Sequence, residues 1–197
     1  MNPPLFVYDT LQRERVPFQP LKEGQVGLYT CGPTVYDHAH IGNFRSYVAE
    51  DLIKRYLIFR GYQVKHVMNI TDIDDKTIRR SRESGRPLDE VTKPYIAAFF
   101  EDIAALNLLP ADVYPRATEH IGEMVQLILR LRDKGHAYTR GDSIYFSIAS
   151  FPEYGRLAHL DVEGLMAGAR VDSDEYDKEN VQDFVLWKGP REGEPSW

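Results

Sequence analysis

Cysteine is nearly absent from this 197-residue chain, where Cys31 is the single one. One thiol excludes an internal disulfide and any multi-cysteine metal motif, and it suits a reducing compartment. Long apolar runs are missing as well, so no segment has the ~20 apolar residues that a membrane-spanning helix needs. The start, Met1-Asn2-Pro3-Pro4-Leu5-Phe6, shows no charged leader followed by an apolar core. The expectation is a cytoplasmic protein with no membrane partner. Nor is there a surplus of positive charge: 24 Lys and Arg stand against 30 Asp and Glu, a net of -6. Unspecific affinity for nucleic-acid backbones comes mainly from clustered cations, so this balance does not suggest a nucleic-acid-coating surface, and any local contact of that kind would come from a small patch. Lys76, Arg79, Arg80 and Arg82 form one, which reads equally well as a solvated helix face.

What is present argues for a folded protein of one or two domains: 43% of the residues are hydrophobic. The organising stretch runs from 28 to 43, Leu-Tyr-Thr-Cys-Gly-Pro-Thr-Val-Tyr-Asp-His-Ala-His-Ile-Gly-Asn. Val26, Leu28 and Tyr29 lead a strand into Cys31, and Gly32-Pro33 punctuates it. A helix begins near Gly42, from which Phe44, Tyr47, Val48, Leu52, Tyr56 and Phe59 recur at three- and four-residue steps as the core face. Glu50 and Lys54 make an i,i+4 pair on the other side, and Gly61 is the stop. His40, Gly42 and Asn43 therefore crown a helix whose amino end carries about half a positive charge, an arrangement that attracts phosphate. The plainer reading is that His40 packs in a loop and Asn43 caps a helix.

The remainder follows in order. Residues 5–9 read as a short strand, 12–24 as connection and 63–70 as a second strand, so that strand, helix and strand make a parallel crossover. Ligands in open α/β sheets bind beyond the carboxyl ends of the strands, where Cys31 and Thr71 both fall. In Thr71-Asp72-Ile73-Asp74-Asp75 the carboxylates suit a first helical turn, with Asp72 as N-cap in preference to a metal or substrate contact. Helices are expected over 73–84 and 88–106, the latter with Tyr95, Phe99, Ile103 and Leu106 on one face. Pro110 and Pro115 bound a loop. Ile121, Met124, Val125, Ile128 and Leu131 mark a further helix that ends at Gly135, with His120 beside it as an ordinary surface residue. From Ala137 the period changes to two, giving a hairpin that turns at Arg140-Gly141-Asp142 and continues from Ser143 to Ile148. The acidic stretch from Asp172 to Asp183 reads as irregular, with one short buried piece from Phe184 to Trp187.

Cys31-Gly32-Pro33-Thr34-Val35-Tyr36-Asp37, His40-Ile41-Gly42-Asn43 and Asn69-Ile70-Thr71-Asp72-Ile73-Asp74-Asp75-Lys76 together closely resemble the amino-terminal half of cysteinyl-tRNA synthetase, a class I aminoacyl-tRNA synthetase. Pro115 to Ile121, Gly135-His136-Ala137-Tyr138, Gly168-Ala169-Arg170-Val171 and Asp183 to Lys188 look like that family too, in the expected order. The resemblance implies an α/β fold: the first half of a Rossmann-like, HUP-type nucleotide-binding sheet over 1–116, then the start of a mixed α+β connective insertion over 117–197. It implies ATP-dependent activation of L-cysteine, with ATP taken as its Mg2+ complex, followed by transfer to tRNA(Cys), in a monomer. By the same resemblance Cys31 is a ligand of a Zn2+ ion that holds the substrate thiolate, and Gly32 and Thr71 line the cysteine pocket. Pro33, Thr34, Tyr36, His40, Gly42 and Asn43 then form the ATP side, with His40 and Asn43 as catalytic phosphate contacts. Asn43 departs from the family's usual histidine; asparagine still donates a hydrogen bond but never carries a cationic charge. The family's other zinc ligands, its Lys-Met-Ser-Lys-Ser loop and its anticodon-binding domain lie further along, and the turn-rich ending at Trp197 reads as a cut. His38 and His40 are the local substitutes one would consider for zinc, but they sit on the loop that the resemblance reserves for ATP. Two rival readings stay open: a nucleotide-binding or interaction module without catalysis, and the cysteine-activating ligase of mycothiol synthesis.

Overall fold

The computed structural model describes residues 4–160 and 183–197. The Gly168-Ala169-Arg170-Val171 block and the acidic stretch from Asp172 as far as residue 182 lie outside the described residues. In chain order the elements are β1 (Phe6–Asp9), β2 (Glu14–Pro17), β3 (Gln25–Thr30), α1 (Ile41–Phe59), β4 (Gln63–Met68), α2 (Asp75–Ser84), α3 (Leu88–Ala105), a 3-10 turn (Ala117–His120), α4 (Ile121–Asp133), β5 (Ala137–Arg140), β6 (Ser143–Phe146), a second 3-10 turn (Ile148–Ser150) and β7 (Phe184–Trp187). They group into two units, Gln19–Ile121 with Gly193–Trp197, and Pro3–Phe18 with Gly122–Glu192.

In the first unit β3 and β4 pair in parallel from Gln25↔Gln63 to Thr30↔Met68, with α1 as the crossover. Beyond β4 the segment that the prolines mark as a loop supplies a ragged third parallel strand, through bridges Val67↔Val113 and Ile70↔Arg116. Pro115 has no N–H, which keeps that edge from becoming a regular ladder. The main core gathers Phe44 and Tyr47 of α1, Met68 of β4, and Phe99 and Ile103 of α3. Tyr47 and Phe99 meet edge to face with centroids 5.4 Å apart, a geometry that suits the ring quadrupoles.

Helix α1 turns over relative to the sequence expectation. Of the predicted core face only Phe44 and Tyr47 are buried, while Val48, Leu52, Tyr56 and Phe59 are exposed, Leu52 at 67% and Phe59 at 79%. The inward line is Phe44, Tyr47, Glu50, Lys54 and Leu57, so Glu50 and Lys54 do not form a surface pair. Lys54, 6% exposed, buries its stem and donates from Nζ to the Pro110 carbonyl at 2.6 Å, with Asp112 Oδ2 3.8 Å away. The i,i+4 ion pair on α1 is Arg55 with Asp51, at 2.7 Å. Because Leu52 and Phe59 touch little in this chain, Leu52→Glu and Phe59→Glu are expected to change its unfolding free energy by no more than about 0.5 kcal/mol. By contrast Phe99→Ala should cost about 3–5 kcal/mol, and urea melts of the variants compare the two.

Opposite that polar line, His66 is buried on β4 at 2% exposure. Its Nε2 pairs with Thr30 Oγ1 at 2.9 Å and its backbone N–H donates to Asp112 Oδ2 at 2.7 Å, while Nδ1 has no hydrogen-bond partner. Burial, and then the Lys54 charge, hold the imidazole below its ordinary 6.5. The unfolded chain thus takes this proton at a higher pH than the folded one. The stability tied to His66 is complete above 6.5 and lost as pH falls through its folded value. Glu50, pushed above 4.5 by burial, works the other way, its contribution being complete below 4.5 and lost as pH rises through its folded value. A His66→Gln variant should therefore lose the acid-side decline that wild type shows below 6.5, which urea titrations from pH 7 to pH 5 will test.

The second unit holds the antiparallel pair β1 and β2, registered Phe6↔Pro17 to Asp9↔Glu14. Strand β2 falls within the segment expected to be connection, since Glu-Arg-Val-Pro neither alternates nor continues past proline. The same unit contains an antiparallel sheet β5-β6-β7. The hairpin turns at Gly141, whose φ of +57° suits glycine. Asp183 anchors that sheet from a buried position, accepting from the Tyr138 hydroxyl and the Ile148 N–H, both at 2.9 Å. On α4, Ile128 is buried but Met124 is 38% exposed, so the expected core face is narrower than the spacing suggests. No helix among the described residues is long and apolar enough to cross a membrane.

Candidate functional site: two strand-end loops and a capped helix

The candidate site lies at the carboxyl ends of β3 and β4, where the two following loops are zipped together. The Thr71 N–H donates to the Pro33 carbonyl at 2.9 Å, and the Val35 N–H returns to the Thr71 carbonyl at 3.1 Å. Asn69 clamps the pair from its side chain: Oδ1 accepts from the Gly32 N–H at 3.2 Å, and Nδ2 donates to Thr71 Oγ1 at 3.1 Å. Gly32, Pro33, Thr34 and Thr71 are thereby brought together, and Asn69 joins them as a residue that the sequence reading passed over. Its position directly after β4 and two before Thr71 was the available signal.

Gly32 tolerates no side chain. A Cβ there would stand 1.9 Å from the Asn69 carbonyl oxygen and 2.9 Å from the Met68 side chain. Asp72 does not cap α2, as the sequence reading had it. It is buried, and its two oxygens accept from the Thr118 N–H at 2.9 Å and the Thr118 hydroxyl at 2.6 Å. The cap is Asp74, in extended backbone, whose Oδ1 takes the N–H groups of Lys76 and Thr77 while the Thr77 hydroxyl answers its own N–H. Extended geometry two residues later is what an N-cap requires, and spacing alone does not reveal it.

At the start of α1 the signature residues cap each other. His40 Nδ1 accepts from the Gly42 N–H at 3.0 Å, and Asn43 Oδ1 accepts from the His40 N–H at 3.0 Å. With Nδ1 an acceptor, the neutral ring carries its proton on Nε2, and the Asn43 Nδ2 group keeps two donors. Both side chains are exposed, and the first turn of α1 contains no acidic residue to offset the helix dipole. An anion placed here is met by His40 Nε2–H and Asn43 Nδ2 rather than by the Gly42 amide, which is spent on the cap. Nearby, Lys76 Nζ stands over the Tyr36 ring, 4.7 Å from its centroid, a cation–π contact that fixes a positive charge beside the loop.

Cys31 is exposed. Burial, and then the charges of Glu50 and Cys31, push the Tyr47 hydroxyl of α1 up to about 12. Among the described residues there is no group of three or more His, Cys, Asp or Glu side chains placed to hold a metal. His40 Nδ1 is committed to Gly42, and the His38 ring lies edge-on to Tyr95. A zinc ion takes four ligands, three of them from protein at a catalytic site. Cys31 offers one, so the residues present do not by themselves fit the metal.

The sequence profile described as the tRNA synthetases class I (C) catalytic domain matches residues 17–197. A protein of Chlamydia muridarum named cysteine–tRNA ligase is 55% identical over 197 residues, covering 98% of this chain and 41% of that protein. A ligase of the same name from Pyrococcus furiosus is 50% identical over 193 residues, covering 98% of this chain and 40% of its own length. The chain thus spans about two fifths of the curated relatives it matches. Among solved structures, methionyl-tRNA synthetase of Mycobacterium tuberculosis in complex with methionyl-adenylate superposes with a TM-score of 0.52 at 22% identity, over 62% of this chain and 25% of that one. A LeuRS–tRNA–LeuAMS ternary complex of Agrobacterium radiobacter gives 0.53 at 23% identity, over 66% and 18%. At these identities the two structures speak for the fold alone, and they bear out a Rossmann-like α/β half-domain. The profile match across residues 17–197 places the chain in the class I tRNA synthetase family, within its class I (C) catalytic domain.

Proposed function

We propose that this chain supplies the ATP and cysteine side of a cysteine–tRNA ligase. The observation that carries this reading is the loop from Cys31 to Asn43, which sets an exposed thiol at one end and two outward phosphate donors at the other. The names of the relatives support it. In the reaction a carboxylate oxygen of L-cysteine attacks the α-phosphorus of ATP. The bond to the β-phosphate breaks, and pyrophosphate leaves with the electron pair. A terminal hydroxyl of tRNA(Cys) then attacks the cysteinyl carbonyl and AMP departs. Such transfers rest on positioning and charge stabilisation rather than on a protein nucleophile. His40 Nε2–H and Asn43 Nδ2 stabilise the charge that grows on the phosphate oxygens. Gly32 and Thr71 shape the amino-acid side, and Pro33, Thr34, Tyr36 and Gly42 the nucleotide side.

The proposal includes a zinc ion on Cys31 completed by ligands from a longer protein, ATP bound as its Mg2+ complex, residues from about 117 onward as a connective insertion, and a monomer in the cytoplasm. The test is cysteine-dependent ATP–pyrophosphate exchange by a protein containing this chain in full. Exchange with cysteine and not with serine, followed by transfer to tRNA(Cys), supports the reading. Exchange followed by transfer to an amino sugar instead of tRNA points to the mycothiol-type ligase, and ATP binding with no exchange at all points to a module without catalysis.

A further inference from the structure

Among the described residues, hydrogen bonds from the loop between β3 and α1 to other elements stop at Val35 and resume at His40. The three residues between that reach outward are Tyr36, Asp37 and His38, of which Tyr36 and His38 lean on α2 and α3. Tyr36 lies under Lys76. The His38 ring meets the Tyr95 ring at 83°, with centroids 5.2 Å apart. The Tyr95 hydroxyl in turn accepts from the Arg80 guanidinium at 3.1 Å. Asp37 lies within the field of the Arg80 charge and helps to hold that charge in place, behind the Tyr95 hydroxyl. Its Oδ1 also accepts from the His38 N–H at 2.8 Å, which fixes the turn.

Two members of the basic patch on α2 therefore have defined work. Lys76 holds the Tyr36 ring of the loop, Arg80 holds the Tyr95 hydroxyl behind His38, and Arg82 pairs with Glu194 at 3.2 Å, whereas Arg79 makes no such contact among the described residues. We propose that Arg80 and Tyr95 are positioning residues for the nucleotide loop. By holding His38 against α3 and facing Asp37 with a fixed charge they set the approach of the chain to His40, and hence the direction in which its imidazole and the Asn43 amide face a phosphate. This rests on the reading of that loop as the ATP side. A loop segment without backbone ties is ordered only if its side chains are held, and ordering left undone in the free protein is charged against ligand binding.

The test compares Arg80→Ala, Tyr95→Ala and Arg80→Lys with Arg79→Ala as the control on the same helix, in a protein that contains this chain in full. It reads backbone hydrogen exchange over 34–59 and ATP affinity. Arg80→Ala and Tyr95→Ala are expected to speed exchange over 36–40 and to weaken ATP binding about tenfold, the scale of one or two side chains immobilised anew on binding. Protection in the body of α1 should stay as in wild type, Arg80→Lys should recover part of the loss, and Arg79→Ala should move neither readout. Unchanged exchange over 36–40 overturns the inference. So does faster exchange with ATP affinity intact, which would leave a merely structural contact. A wild-type protein that binds no ATP sinks the functional reading itself, and its blank binding isotherm distinguishes that failure from the other two.

Discussion

Replacing Gly32 by alanine is expected to unzip the two strand-end loops and to lower the unfolding free energy by about 3 kcal/mol, the upper range for forcing atoms into packed space. The cause is steric, since the added methyl would overlap the Asn69 carbonyl oxygen at 1.9 Å. Met68 Cγ, 2.9 Å from the same point, belongs to a side chain packed in the core. The carbonyl cannot move without dragging Thr71 and its two ladder hydrogen bonds to Pro33 and Val35. Gly27→Ala is the control, because a Cβ at that position meets nothing within 4 Å. Guanidinium melts of both variants decide the matter, and a cost below about 1 kcal/mol at Gly32 would mean that the β4 loop yields where the geometry says it is pinned.

His40→Ala should reduce pyrophosphate exchange by about a hundred- to a thousandfold in the longer protein, the usual loss when one donor to developing charge is removed. A smaller structural loss accompanies it, about 1 kcal/mol for the missing N-cap acceptor at Gly42. The two separate by experiment, because the cap loss appears in the melt of this chain alone whereas the donor loss appears only in turnover. Asn43→Ala removes the partner of the His40 N–H and is expected to reproduce part of both. Activity within threefold of wild type in His40→Ala would end its role as a phosphate contact.

The parallel crossover was legible because β3, α1 and β4 differ in period and are separated by Gly61 and by the Gly32-Pro33 break. The site loops were legible through motif identity, although the residue that clamps them, Asn69, was not, for a side-chain hydrogen bond across two loops leaves no periodic trace. Helix α1 shows where periodicity fails. Its strongest apolar line, from Val48 to Phe59, is a face that requires cover, but spacing says nothing about which surface provides it. This chain lays the line of Glu50 and Lys54 on the sheet instead, with the Pro110 carbonyl and Asp112 taking up the Lys54 ammonium. Asp72 and Asp74 are likewise indistinguishable by composition, and only the extended backbone of Asp74 decides which of them caps.

That outward apolar line has a consequence during synthesis. With 197 residues making up 41% of the Chlamydia muridarum relative, a protein of that length has roughly 280 residues still to be made when Trp197 is joined. At about 5–20 residues per second that takes some 15 to 60 s. In such a protein Leu52 and Phe59 would stand bare on the ribosome-bound chain throughout that interval, long enough for a holding chaperone to find them. Ribosome profiling of chaperone-bound nascent chains should therefore show engagement that begins soon after α1 emerges.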